Sequence, residues 1–310
     1  MTVAGAEAQA ARLRALDPRL AEVVLPGERP GAPRLRAAGG AVDWTVQRLA
    51  ADDPARGWTP DVVARGARLV LPADRAGVAE LVDRWATEVA LDAPDATLSV
   101  LWPSADEVGL GLLGAAGFAL SGVLAVRAGG PLPRVRAGLD TVRGRRAVAP
   151  DLDAILRLHR EEVVFHADLG TGHRLVEVEQ AAAAERIQAA LRGEGSAVAH
   201  VVEAGDGEVV AMCESWPVDV AAYVPEGDNE WPAGVLPAGR YGYLNTVCVT
   251  AEHRGGGLGA VLVRAVLDDL ADGGAGPTYL WYAADNPVSP GFWQAMGYRP
   301  FWARLHRPVG

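Results

Sequence analysis

The chain repeats itself at a fixed distance of 180 positions. Laid over the first half without a gap, Gly257 falls on Gly77, Gly259 on Ala79, Gly297 on Gly117 and Tyr298 on Phe118, while the apolar run 278–282 falls on 98–102. Glycine turns and apolar runs that recur in register specify one supersecondary plan twice, so two tandem copies of a single unit are expected. A chain of 310 residues gives each copy enough length to bury a core. Gly, Pro and Arg gather between Gly129 and Arg146 with no apolar period. Residues 131–146 are therefore expected to link a unit at 1–130 to a unit at 147–310.

Half of the residues are hydrophobic and 22% are charged, a globular balance rather than a disordered one. The formal net charge of −10 argues against a nucleic-acid binder, which needs clustered cations to neutralise phosphates. Cys213 and Cys248 both sit in apolar runs and read as buried, reduced thiols of a reducing compartment. No apolar stretch reaches the roughly 18–20 residues of a membrane span. Residues 1–20 are Ala-rich and carry Arg12, Arg14 and Arg19, which reads as a surface helix and not as a signal peptide. A cytoplasmic protein that does not contact the membrane is the expectation.

Beyond the linker, apolar periodicity predicts helices at 151–166 and 177–191. Strands at 197–202 and 209–213 flank the turn Gly205-Asp206-Gly207 as a hairpin. A strand at 243–249 follows, then a helix at 255–270 with an apolar face at Leu258, Val261, Leu262, Ala265, Val266 and Leu270. A strand at 278–283, a short helix at 289–296 and a strand at 298–307 close the chain. The stretch 217–239 is rich in Pro, Gly, Asp and Trp and reads as a long loop, either a lid or a plain insertion.

The most informative segment is the run Arg254-Gly255-Gly256-Gly257-Leu258-Gly259 between a strand and a helix. A pyrophosphate needs converging backbone N–H groups at a helix N-terminus, where the macrodipole is positive. Glycines let the backbone turn sharply and approach an anion, and an always-charged Arg strengthens the local field. The G-x-G-x-x-G spacing of a dinucleotide fold is missing, as is the acidic residue after the next strand. The segment from Val247 to Ala260 resembles the acyl-CoA site of the GCN5-related N-acetyltransferase (GNAT) superfamily, with Arg254, Gly257 and Gly259 on its pattern. Asn286, Phe292, Trp293, Gly297 and Tyr298 match the second element of that family.

The resemblance implies an α/β fold of two tandem GNAT-like domains. Each would be a mixed, mostly antiparallel sheet flanked by helices, with a splayed central strand pair. It implies acetyl-CoA as co-substrate and no metal. Val247, Cys248, Val249, Arg254, Gly255, Gly256, Gly257, Leu258, Gly259, Ala260, Asn286 and Trp293 would form the cofactor site. The backbone near Val247 and Val249 would bond the pantetheine and polarise the thioester carbonyl. The tandem layout resembles that of the mycothiol synthases. In the first half Asp74 stands where Arg254 does and Asp106 where Asn286 does, and an acid there repels a pyrophosphate. That copy is expected to be degenerate, a buttress or a cover for the acceptor cleft.

One departure from the family concerns the acid. Many members place a Tyr seven residues after the Asn to protonate the departing thiolate, and this chain has Trp293. An indole N–H does not titrate in this range, so Trp293 reads as a packing residue, with Tyr282, Tyr298 or Ser289 as substitutes. The amine acceptor must lose a proton before or during attack, and Glu214, then Asp219, are the expected bases. In the family the turn between the first two helices borders the acceptor. Here it holds His166, Asp168 and His173, either an acceptor-recognition cluster or ordinary loop polarity. The expected activity is direct acetyl transfer to an amine of a small molecule. The alternatives are a non-catalytic acyl-CoA-binding module and a protein N-acetyltransferase.

Overall fold

A computed structural model describes residues 3–22, 32–89, 96–131, 139, 142–222 and 232–309. The first half contains α1 (Val3–Leu16), β1 (Arg34–Ala37), β2 (Gly40–Arg48), β3 (Val62–Val70), α2 (Arg75–Val89), β4 (Thr97–Pro103), α3 (Glu107–Ala115) and β5 (Ala119–Arg127). The second contains β6 (Gly144–Arg146), α4 (Leu152–Asp168), α5 (Glu177–Leu191), β7 (Val198–Glu203), β8 (Val209–Val220), β9 (Gly239–Val249), α6 (Leu258–Asp272), β10 (Thr278–Ala283), α7 (Ser289–Ala295) and β11 (Arg299–Pro308). The run β2-β3-α2-β4-α3-β5 recurs as β8-β9-α6-β10-α7-β11, so the repeat read from the glycines is a repeat of structure. The expected linker holds β6 at its end, paired antiparallel with β7.

The strands form one sheet in the order β1-β2-β3-β4-β11-β5-β10-β9-β8-β7-β6. The last strand of each half is exchanged. β5 pairs with β10 and β11, and β11 pairs with β4 as well as β5, all antiparallel. Two open sheets with exposed backbone on β4 and β10 would each present an adhesive edge. The exchange satisfies both edges and leaves only the short β1 and β6 at the margins.

Local pattern explains the helices. The α6 stripe Val261, Leu262, Val266 and Leu270 is buried against β7, β8 and β9, as its 3.6-residue period requires. On the opposite face α4 and α5 bury Ile155, Leu158 and Ile187 over Val201 and Met212. In the first half no described helix matches α4 and α5. The sheet face carrying Thr45, Arg65 and Ser99 is therefore left to line a cavity.

β9 and β10 are parallel neighbours only where Gly242, Tyr243 and Leu244 face Thr278, Tyr279 and Leu280. Beyond Leu244 a register shift against β8 places Asn245 in a bulge, and the two strands part. The expected wedge thus opens at an identifiable residue. The stretch read as a loop from 217 is strand at both ends: Pro217 faces Gly242 and Asp219 faces Arg240. Its Pro and Gly content masked a pairing that the partner strand imposes. Residues 223–231 of that stretch lie outside the described residues.

Candidate active site

A cleft of about 1340 Å³ runs from the α6 turn through the strand wedge to a chamber walled by both halves. At its first end, Gly255 and Gly257 take left-handed backbone (φ 76° and 94°), and Gly257 caps α6. The N–H groups of a first helical turn have no intrahelical acceptor and face outward. Gly259 lies so close to Phe292 that an added Cβ would sit 3.3 Å from its ring. Arg254 donates from Nε to the Val249 carbonyl (2.9 Å) and lays its guanidinium 4.3 Å from the Phe165 ring centre. A cationic, glycine-lined helix start at a cleft fits a pyrophosphate.

Val247, Cys248, Val249, Arg254, Gly255, Gly257, Leu258, Gly259, Ala260, Asn286 and Trp293 all line the cleft. Gly256 does not; it lies on the outer, exposed side of the turn. Asn286 acts on its own chain: its Oδ1 accepts from the N–H groups of Val288 and Ser289 (3.0 and 3.2 Å). That cap starts α7 and so places Phe292 and Trp293 in the wall. Trp293 meets Phe292 and Tyr298 edge-on, in keeping with a packing role. Of the substitute acids, Tyr282 and Ser289 line the cleft. Tyr298 is buried against Thr278, hydroxyl to hydroxyl at 2.9 Å, and does not. Burial pushes the Tyr282 phenol up, keeping it protonated at neutral pH. Burial also pushes the Cys248 thiol up to about 12, which removes it as a nucleophile.

Neither expected base reaches the cleft. Glu214 is fully buried, with Arg186 clamping both carboxylate oxygens (2.6 and 3.0 Å) and Asn245 adding a third bond at 3.0 Å. A carboxylate so engaged offers no open oxygen to an amine, and instead fixes α5 and the bulge against β8. Asp219 is exposed on the β8–β9 hairpin and pairs with Arg240. The strand of Glu214 does lie beside β9, but its carboxylate is enclosed by Arg186 and Asn245, and Asp219 sits past the cleft where the hairpin pairs it with Arg240.

The chamber at the far end of the cleft is walled by α4 and by the first half. His166 and His173 line it, and their rings lie 4.7 Å apart; Asp168 is exposed and points elsewhere. Burial pushes His173 down to about 4, so it is neutral, and its Nδ1 meets the Thr171 hydroxyl at 2.8 Å. Glu162, one turn before His166, lies 3.2 Å from its Nε2 and opens on the chamber. Behind them His159 and Glu179 pair at 3.0 Å. Burial works to raise the Glu179 carboxyl, but hydrogen bonds from His159 and Gln180 prevail and hold it below the usual range. The spacing 159, 162, 163, 166 is one helix face, and that period was the signal available for Glu162.

The first half closes the chamber. Gly57 approaches α5 so closely that a Cβ would meet Glu179 Cγ at 2.7 Å. Arg174 donates its N–H to the Gly57 carbonyl (2.7 Å) and its side chain to the Arg56 and Thr59 carbonyls. Trp58, Thr59, Thr45, Gln47, Arg65 and Ser99 form the far wall.

The wedge between β3 and β4 is plugged by α1. The Gln9 amide donates to the Leu69 carbonyl and accepts from the Leu71 N–H, both at 2.9 Å, on the strand equivalent to β9. Arg12 forms a two-pronged ion pair with Asp106 (2.7 and 2.8 Å), whose other partners are Trp102 Nε1 and the Gly109 N–H. At the α2 turn, Asp74 accepts from the Gly77 N–H at 2.8 Å. Its carboxylate caps the turn equivalent to the open one at α6. In the first half, then, side chains of the chain itself fill the turn and the strand wedge.

A strand wedge, a bulged central strand and a glycine turn at the start of the following helix are the frame of this site. Residues 164–298 match the model of the acetyltransferase (GNAT) family. That segment of the second half carries a domain of this family, and the match supports acyl transfer from an acyl-CoA donor. A GCN5-related N-acetyltransferase from Sphaerobacter thermophilus is 14% identical, covering 87% of this chain and 76% of that one, with a TM-score of 0.51. One from Kribbella flavida is 18% identical over 99% and 95% (TM-score 0.46). A tandem GNAT protein from the clavulanic acid biosynthesis pathway is 16% identical over 100% and 96% (TM-score 0.45). No curated protein matches the chain. No described helix is long and apolar enough to cross a membrane, and the described residues contain no group of three or more side chains suited to a metal.

Proposed function

We propose that the second half transfers an acetyl group from acetyl-CoA directly to the amine of a small molecule held between the two halves. The observation that carries this reading is the continuity of the cleft, from the Gly255–Gly257 turn to a chamber roofed by the Arg174 contacts. A roofed chamber favours a small acceptor over a folded protein surface.

The acceptor nitrogen attacks the thioester carbonyl carbon while the C–S bond breaks. Glu162, oriented by His166, takes the amine proton directly or through one water. Backbone N–H groups of β9 beyond the bulge stabilise the developing oxyanion. Tyr282 or Ser289 delivers a proton to the departing sulfur, an easy leaving group because thiols titrate near ~8.5. Arg254, Gly255 and Gly257 hold the diphosphate, and Trp293 shapes the acyl pocket.

The test is CoA release with a panel of amines. Arg254→Glu is expected to weaken acetyl-CoA binding tenfold or more. Glu162→Gln should lower kcat at least 100-fold with the donor Kd unchanged. Turnover indifferent to both substitutions rejects the site; acetyl-CoA bound with no amine acetylated favours a non-catalytic binding module.

A further inference from the structure

Among the described residues no carboxylate pairs with Arg304. It stands on β11, inside the cleft, with its guanidinium 5.0 Å from the Trp281 ring centre. Its Nε is buried without a hydrogen-bond partner. A second cation, Arg65, faces the same space. It spends Nε and one terminal nitrogen on the single oxygen of Gln47 (3.0 and 2.8 Å) and also lacks a carboxylate. Sheet register puts the two on one face: Arg304 faces Leu101 and Arg65 faces Ser99, alternate residues of β4. Two strand spacings and two residues of rise set their Cα atoms roughly 12 Å apart, a span from which two long side chains converge on one oxyanion.

The surroundings carry this charge. Burial, then the neighbouring Arg65, pushes Arg304 down to about 10. His306, two residues along the strand, is pushed down to about 3 by burial and then by both arginines, so it adds no charge of its own. The acidic groups of the chamber are Glu162 and Glu179, which belong to the α4–α5 wall. Tyr243 and His173 lie between, each within electrostatic range of both Arg304 and Glu162. A buried guanidinium stacked on an aromatic with open donors is costly to an empty protein and is repaired by an anionic ligand. The chamber is thus bipolar, with a carboxylate end for a cation and a guanidinium end for an anion.

Resting on the acetyl-transfer reading above, we propose that the acceptor is an acidic amine, whose carboxylate or phosphate is bound by Arg304 and Arg65 while its amino group lies toward Glu162. This defines a substrate class: amino acids, amino-acid-like metabolites and amino phosphates, and not simple or polycationic amines.

Matched pairs of probes test it with CoA-loaded protein: β-alanine against ethylamine for the carboxylate, O-phosphoethanolamine against ethanolamine for the phosphate. The binding readout is thermal shift, and the turnover readout is CoA release from acetyl-CoA. In the wild type one acidic member should be favoured over its neutral partner by about 10- to 150-fold, the worth of one charged hydrogen-bond set, and the favoured pair names the acid. Arg304→Gln should erase the preference while leaving CoA affinity intact, and Arg304→Lys should restore part of it. Removing an unpaired cation should also raise the melting temperature of the unliganded protein, whereas a purely structural arginine would lower it. Equal binding of both members in the wild type, or a preference that survives Arg304→Gln, overturns the proposal. Discrimination in binding without acetylation of any member sinks the acetyl-transfer reading and leaves the anion subsite standing.

Discussion

Replacing Glu214 by Gln separates a structural clamp from a catalytic base. The native carboxylate receives three hydrogen bonds, two from Arg186 and one from Asn245, at a fully buried position. A glutamine side chain has one oxygen, so in either orientation its NH2 confronts at least one of those donors. Breaking a buried ion pair by removing one partner costs about 3–5 kcal/mol. The Arg186 side chain keeps 34% of its exposure, and rehydration returns part of that, leaving about 2–3 kcal/mol. For a chain of 310 residues the loss corresponds to a fall in melting temperature of roughly 3–5 °C. Calorimetry should find that fall. At a temperature well below the transition, kcat/KM should change less than about threefold and keep the acid limb of its pH profile. An unchanged melting temperature with a 100-fold loss in kcat and no acid limb would refute the clamp and return Glu214 to the chemistry.

Three further outcomes are expected. His173 has a folded pKa of about 4 against an ordinary 6.5, so the unfolded chain binds the extra proton. The His173 contribution to stability should be full above about pH 6.5 and fall by up to about 1.4 kcal/mol per pH unit as pH drops toward 4, so His173→Gln should reduce the acid slope of a melting series by that share, the buried His200 and His306 keeping theirs. Gly257→Val forces a β-branched residue into φ 94°; acetyl-CoA affinity by titration should fall at least tenfold while the far-ultraviolet circular dichroism stays native, and an unchanged Kd would count against the turn. Gln9→Ala combined with Arg12→Ala should cost about 2–4 kcal/mol in denaturant unfolding but leave one CoA site per chain, since Asp74 still caps α2; a second site of equal affinity would disprove self-capping.

The duplication shows how one plan supports two outcomes. At α6 no side chain caps the first turn, and glycines keep the approach open. At α2 the Asp74 carboxylate caps the Gly77 N–H, and a helix side chain, Gln9, takes the strand backbone of the wedge. The degenerate half is not idle in the structure. Its bare sheet face supplies Arg65 and Thr45, and its Gly57 segment locks onto the α4–α5 turn through Arg174.

Local features of this protein were readable in its amino acids. The register of glycines gave the duplication, because left-handed backbone and close approach tolerate little else at Gly257 and Gly259. Apolar spacing of 3.6 gave α5 to the residue and α6 to within three residues at its ends, and Asp74 caps its own turn where Arg254 opens on the cleft. Relations between distant segments were decided only in three dimensions. The exchange of β5 and β11 depends on which open edges meet, α1 in the β3–β4 wedge on shape, and the fates of Glu214 and Glu162 on their neighbours: Arg186 and Asn245 clamp the first, while α4 leaves the second facing the cleft. Arg304 makes the same point: a strand arginine is unremarkable in a sequence, and its meaning arises when the fold surrounds it with Trp281 and Arg65 and gives it no carboxylate. Backbone preference is a property of a few neighbours in the chain, whereas a charge takes its role from whatever the fold sets beside it.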